Sequence, residues 1–363
     1  MNAGRILIVS PNWVGDAVMA QPLLQLLKVR PGFQDVEIDV LCSPTIAAVW
    51  RAVPEVAEVI ETTFRSGSLE WGSRRALAAR LRTLGYAEAY ILPNSLKSSL
   101  IPWLARIPRR IGYKGEMRYG LLNVVHHDAG TVPRPMVAFY AALANAPCRS
   151  VSGRSNLPRP MIAVNDARRR EVLHHFDIDS ESSVVAFAPG AEFGSAKRWP
   201  AGHFAELARR LLQQQPNLNI VLLGSPKDRP VCGEIVTAIA QAAGASTETT
   251  ATITINASNI RNLAGTTSLD QAIALIAAAS AIVSNDSGLL HVASALNRPV
   301  LALYGPTDPA HAPPFSEKSQ SIHLQLPCMP CRQRECPLGH HDCMRKLDVG
   351  RVLAPLQAMI KSK

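Results

Sequence analysis

Ser284-Asn285-Asp286-Ser287-Gly288-Leu289-Leu290-His291 lies between two apolar runs, residues 277–283 and 292–296. The first run reads as a buried strand and the second as the body of a helix, so the chain passes from one to the other through a short polar loop. The first N–H groups of a helix have no partner within it, and they point the same way as the positive end of the helix dipole. Such a turn attracts phosphate. Asp286 and Ser287 are capping residue types, Gly288 lets a ligand approach the backbone, and His291 follows about one turn into the helix. An ordinary capped helix explains the same stretch, so its meaning depends on its surroundings.

Short apolar runs alternate with helical patterns on both sides of this stretch. Near the amino end, Arg5-Ile6-Leu7-Ile8-Val9-Ser10 is a β-rich run that ends in Pro11-Asn12-Trp13-Val14-Gly15-Asp16, and an apolar helical pattern fills residues 17–27. Strands follow at 37–41, near Val59 and at 89–92, with helices at 46–53 and 74–84 between them. Residues 149–165, loose in pattern and rich in Ser, Pro and Arg, read as a linker. The pattern then restarts. Helices at 166–176, 203–214, 231–242 and 269–278 alternate with strands at 184–188, 220–223, 281–283 and 300–304, and residues 349–360 read as a closing helix. Strands separated by helices make parallel sheet with right-handed crossovers. The chain is therefore expected to be α/β, with two doubly wound domains, residues 1–165 and 166–363, facing a central cleft. Ligands of such sheets sit beyond the carboxyl ends of the strands, where every candidate motif falls.

The composition fits this reading. A length of 363 residues suits two domains, and 47% apolar residues with only 5% aromatic ones make aliphatic cores. No apolar run approaches the eighteen or so residues of a spanning helix. The six-residue run at 5–10 followed by Asp16 does not make a signal peptide, and a cytoplasmic location is expected. The net charge of +10 calls for an acidic partner, whether nucleic acid, anionic lipid or phosphorylated substrate.

Three further loops carry chemistry. The loop at 10–16 lacks the glycine pattern of a dinucleotide site and the Gly-Lys-Ser/Thr of a P-loop, but it places a carboxylate, Asp16, at the mouth of the first sheet. Asp16 there suits a general base that takes a proton from a hydroxyl, and it equally suits a helix cap. After the strand at 184–188 comes Pro189-Gly190-Ala191-Glu192-Phe193-Gly194-Ser195-Ala196-Lys197-Arg198-Trp199-Pro200, in which small residues admit a ligand and Lys197 can meet a diphosphate. Leu222-Leu223-Gly224-Ser225-Pro226-Lys227-Asp228 ends a strand in a turn whose acid, Asp228, is placed either to contact a ribose or simply to form the turn.

Taken together, Pro11-Asn12-Trp13-Val14-Gly15-Asp16-Ala17-Val18-Met19, the loop from Pro189 to Pro200 and Asn285-Asp286-Ser287-Gly288-Leu289-Leu290-His291-Val292-Ala293 resemble the ADP-heptose:lipopolysaccharide heptosyltransferases, glycosyltransferase family 9. The likeness runs over most of the chain and is greatest to the members that add the second heptose of the inner core. Asn262-Leu263-Ala264-Gly265-Thr266 before a helix fits the same family. The resemblance implies a GT-B fold with two Rossmann-like domains, the first for the acceptor and the second for ADP-heptose. It also implies an inverting transfer that requires no cofactor. By the same likeness Asp16 is the catalytic base, and Lys197, Asp286, Ser287, Gly288 and His291 bind the donor, with Asp228 as its ribose contact. Where the family carries threonines in the phosphate loop, this chain has Glu192 and Phe193.

Two features lie outside those motifs. Between residues 97 and 118 six basic residues (Lys97, Arg106, Arg109, Arg110, Lys114, Arg118) face one acid, Glu116, with Leu100, Ile101, Trp103 and Leu104 among them. Lys97, Arg109, Arg110 and Arg118 are expected to hold the phosphates and carboxylates of a heptosyl-Kdo2-lipid A acceptor and to rest on the anionic inner face of the inner membrane. A solvated face with Trp103 buried explains the same stretch. Cys42, Cys148 and Cys232 are isolated and read as small buried apolar residues. Cys328, Cys331, Cys336 and Cys343 cluster within sixteen residues, with His340 and His341 between, and fit either a structural zinc or free thiols. No catalytic metal is expected. A zinc-bearing nucleic-acid-binding protein lacks support, because no aromatic-rich RNA-binding strand or groove-reading pattern occurs. A nucleotide-sugar epimerase would need a second acid/base set that the sequence does not offer.

Overall fold

The computed structural model describes residues 4–64, 67–128, 135–147, 157–244 and 259–361. Cys148 and the first part of the expected linker, residues 149–156, lie outside them. The chain divides into two compact units, the first ending at Ala163 and the second beginning at Val164. The first unit holds β1 (Ile6–Val9), β2 (Ile38–Cys42), β3 (Val56–Glu61), β4 (Glu88–Ile91), β5 (Arg109–Tyr113) and β6 (Val124–His126). The second holds β7 (Val184–Ala188), β8 (Asn219–Leu222), β9 (Ile260–Asn262), β10 (Ala281–Asn285), β11 (Val300–Leu303) and β12 (Ser319–Ile322).

Each unit contains one six-stranded sheet, in the orders β3-β2-β1-β4-β5-β6 and β12-β11-β10-β7-β8-β9. Every pairing is parallel. Counted from each unit's own first strand the two orders are the same, and both are the Rossmann order. The strand order reverses between β1 and β4 in the first unit and between β7 and β10 in the second. Helices cover both faces of such sheets, so the central strands are continuously apolar rather than alternating. Ile6, Leu7, Ile8 and all of β7 are buried accordingly.

The core of the second unit is built on Phe187, Trp199 and Phe204, with Val352, Leu356 and Ile360 of the closing helix Val349–Lys361 against it. The Trp199 indole N–H donates to Leu347 O at 2.9 Å, so the aromatic body is buried and its one polar atom satisfied.

Residues 97–118 do not form one surface. They hold the helix Leu96–Leu104 and then β5, whose first two residues are Arg109 and Arg110. Leu100 and Ile101 are buried, whereas Trp103 is 43% exposed. Arg118 is 1% exposed. Its guanidinium donates to Pro93 O (2.7 Å) and Tyr113 O (2.5 Å), and to the Ser98 and Ser99 hydroxyls at 3.1 and 3.2 Å. No carboxylate pairs with it among the described residues, and burial pulls its pKa down to about 10. Arg118 therefore ties the loop after β4 to the loop after β5. Substitution Arg118→Met, which keeps much of the volume but none of the donors, is expected to lower the unfolding free energy by about 3 kcal/mol in a urea titration.

Candidate functional site

In the second unit the carboxyl ends of β7 and β10 flank the point where the strand order reverses, and two loops meet there. Asn285, the last residue of β10, is fully buried and joins them: its amide donates to Pro189 O at 2.7 Å and its Oδ1 accepts from Trp199 N at 3.2 Å. Lys197 and Asp286 are thereby brought together. The Lys197 Nζ lies 2.6 Å from Asp286 Oδ2, which also accepts from the Thr307 hydroxyl at 2.7 Å. Thr307 follows β11, and its position beyond a strand end was the only sign of it in the sequence.

Ser287 occupies the N-cap of the helix Gly288–Ala295, but its side chain makes no cap bond. The hydroxyl turns to Ser284 Oγ at 3.2 Å, and the Asp286 carboxylate is held by Lys197 and Thr307. Among the described residues no side chain caps the helix start. That start, with Gly288 in it and Lys197 beside it, has the donors and charge to hold a phosphate. His291 lies on the buried side of the same helix.

Asp228, the expected ribose contact, forms the turn after β8, the other role open to it in the sequence. Its Oδ2 accepts from the Ser225 N–H and hydroxyl at 2.9 and 2.8 Å, closing a capping box, and Oδ1 lies 3.7 Å from Arg198. Two glycines make room for it. A Cβ on Gly190 would stand 2.3 Å from Asp228 Cγ, and one on Gly224 would stand 2.7 Å from Asp228 Cβ. Its carboxylate is engaged in shaping the loops after β7 and β8. Lys227 and Glu192 pair across the same two loops at 2.5 Å.

In the first unit, Asp16 is the third residue of the helix Val14–Lys28, so the cap position belongs to Trp13 and not to Asp16. Asp16 is half-buried in the first turn at the carboxyl edge of β1, close to the positive end of the helix dipole. The loop below it is fixed by the Trp50 indole, which donates to Ser10 Oγ at 2.7 Å. Lys97 stands at the same edge, in the first turn of the helix that follows β4. Arg109 and Arg110 do not. They open β5, aligned with Glu88 and Ala89 at the start of β4, and so lie at the opposite edge. Arg109 pairs there with Glu88 at 2.8 Å, and Arg110 donates to Leu121 O and Ile107 O. With Arg118 enclosed, only Lys97 of the four expected acceptor residues stands open at the loop edge. Charge density in the sequence did not show which end of a strand each arginine would occupy.

The cysteine-bearing segment packs onto the second unit's site. Arg334 O accepts from Ala196 N at 3.1 Å, Arg332 N donates to Pro306 O at 2.8 Å, and Cys343 and Met344 close over Gly305. Backbone N–H groups, that of His341 foremost, hold the Cys336 thiol below the ordinary range. Burial, reinforced by the neighbouring Cys331, Cys328 and Cys336, pushes Cys343 up to about 11. Among the described residues no group of three or more His, Cys, Asp or Glu side chains is arranged to hold a metal ion. Cys42 and Cys232 are buried, and burial raises both to about 12.

Paired Rossmann-type units of matching strand order are the architecture of GT-B glycosyltransferases, and the protein is of that class. It belongs to glycosyltransferase family 9 (heptosyltransferase), whose model matches residues 74–341. It is 41% identical to lipopolysaccharide heptosyltransferase 2 of Escherichia coli K12, over 98% of both chains. The solved E. coli ADP-heptose LPS heptosyltransferase II superimposes with a TM-score of 0.84 at 40% identity, over 99% of both chains. Lipopolysaccharide heptosyltransferase 1 of Pseudomonas aeruginosa is 25% identical over 98% of both chains.

Burial holds the His291 pKa below the ordinary imidazole range, with Lys197 pushing the same way and Asp286 opposing. Unfolding frees the ring to take up a proton below about pH 6.5, so this group's contribution makes the fold less stable as pH falls through that value. Between about pH 7 and pH 5, His291→Asn is expected to flatten the loss of unfolding free energy with acid relative to the parent protein. Parallel slopes in urea titrations would refute the assignment.

Proposed function

We propose that the protein transfers heptose from ADP-L-glycero-D-manno-heptose to heptosyl-Kdo2-lipid A, the second heptose step of the lipopolysaccharide inner core. The observation that carries this reading is the Lys197–Asp286 pair at an uncapped helix start, in a chain aligned end to end with heptosyltransferase 2 of E. coli. The lower identity to heptosyltransferase 1 favours the second step over the first.

The reaction is a single displacement. The acceptor hydroxyl oxygen attacks the anomeric carbon, and its proton passes to the Asp16 carboxylate. The bond from that carbon to the β-phosphate oxygen breaks with inversion, and its electron pair leaves on ADP. Lys197 and the N–H groups at the start of Gly288–Ala295 meet the charge that builds there, a stabilisation greatest in the transition state. Asp286 and Thr307 orient Lys197, and Asp228 supports the loops.

Acceptor binding is assigned to the carboxyl edge of the first unit. Lys97 and Lys114 supply positive charge there, and Trp13, Leu96, Met117 and Tyr119 are exposed in the loops after β1, β4 and β5. This mixture suits the sugar phosphates of a lipid anchored in an anionic leaflet, with the enzyme peripheral on the cytoplasmic side. Among the described residues no helix is long and apolar enough to cross a membrane.

Release of ADP from ADP-heptose tests the reading. It is expected with heptosyl-Kdo2-lipid A and not without acceptor, whereas release with Kdo2-lipid A alone would move the protein to the first step. In Asp16→Asn, turnover should fall about a hundredfold or more while ADP affinity is kept. Lys197→Ala should weaken ADP itself by about tenfold or more in calorimetry, and unchanged affinity would remove the phosphate role.

A further inference from the structure

The cations on the loops after β7 and β8 are already matched by carboxylates. Lys197 lies 2.6 Å from Asp286, Lys227 lies 2.5 Å from Glu192, and Arg198 faces Asp228 at 3.7 Å. Each pair is close to neutral as a unit. A nucleoside diphosphate carries several negative charges, so a site built from these pairs and a helix start alone is short of positive charge.

Arg334 supplies a cation of a different kind. It comes from the cysteine-bearing segment more than a hundred residues downstream and is seated on the phosphate loop by direct backbone contact. Its carbonyl accepts from Ala196 N at 3.1 Å, and a Cβ on Gly194 would stand 2.1 Å from that oxygen. Gly194 has no side chain, and this is what lets the two segments touch. The guanidinium carbon lies 5.4 Å from the Phe193 ring centroid, and the Lys197 ammonium lies 4.8 Å from the same ring. One aromatic side chain thus gathers both cations. Arg334 is exposed, and among the described residues its guanidinium has no ion pair or hydrogen bond, including none with the adjacent Glu335. Arg332, on the same segment, has no such seat on the ring.

We propose that Arg334 is a donor-binding residue of this site, a forked guanidinium held beside Lys197 to bind the diphosphate of the sugar nucleotide. This inference rests on the ADP-heptose reading above. Because the segment's hold on the loop runs through the carbonyl of residue 334, truncating the side chain leaves that hold intact.

The test is calorimetric titration of the full-length protein and of Arg334→Ala and Arg334→Lys with ADP and with adenosine, at low and at physiological salt. Arg334→Ala should bind ADP about tenfold to a hundredfold more weakly, bind adenosine as the parent does, show a smaller salt dependence, and melt at the parent's temperature. Arg334→Lys should recover part of the loss, since it restores charge without the fork. Equal ADP affinity in parent and Arg334→Ala would overturn the inference and leave the donor reading standing. Equal losses for ADP and adenosine, or a lowered melting temperature, would make Arg334 structural and also overturn it. A parent protein that binds no ADP would remove both readings together.

Discussion

Parallel pairing is the constraint from which the rest follows. A strand that runs parallel to its neighbour must return through a crossover, so within each sheet every loop that follows a strand collects at one edge. Both sheets are wholly parallel, and both reverse their order beside their first strand. At those two reversals adjacent crossovers pass to opposite faces of the sheet and leave room for a ligand. The loop after β1 with Asp16 and the loops after β7 and β10 with Lys197 and Asp286 occupy these positions. The opposite edge holds structural ion pairs instead, among them the buried Glu88 with Arg30 at 3.1 Å and Arg109 at 2.8 Å. Strand direction thus sets Glu88 and its partners at the edge away from these loops.

Loops without regular structure are kept in place at the functional edges by polar contacts that reach across sequence. Asn285 joins β10 to the loop after β7, Asp228 fills the space between two glycines, and Arg118 ties two loops of the first unit through carbonyl oxygens. A buried guanidinium without a carboxylate partner is costly, and here the cost is offset by several hydrogen bonds at once. The Asn285 amide and the Arg118 guanidinium fix backbone position without adding negative charge.

Much of the fold could be read from the sequence because the central strands are enclosed on both faces. The runs at β1, β2, β4, β7, β8, β10 and β11 are mostly apolar, and the helices between them are long enough to show a period. β6, β9 and β12 escaped notice as short strands of three or four residues at or near sheet edges, with no pattern long enough to detect. β5 escaped because it opens on Arg109-Arg110, whose charges are met by Glu88 and by carbonyls elsewhere in the chain. The site divides in the same way. Asp16, Lys197 and the stretch from Asp286 to His291 stand out because their neighbours in sequence are also their neighbours in space. Thr307 and Arg334 reach the site from other parts of the chain, and the enclosure of Arg118 and the bracing role of Asp228 arise only from tertiary packing.

The seat of Asp228 has a bearing on how sequences of this kind can vary. Gly190, Gly224 and Asp228 lie on two different loops, yet the Asp228 side chain occupies the space that side chains on the other two would need. No single exchange at either glycine fits while the acid remains, and loss of the acid alone leaves an unfilled gap between the two loops. The three positions therefore make up one heritable unit. Drift at any of them is blocked until compensating changes arrive together, and diversification of these two loops must proceed through the residues around that lock.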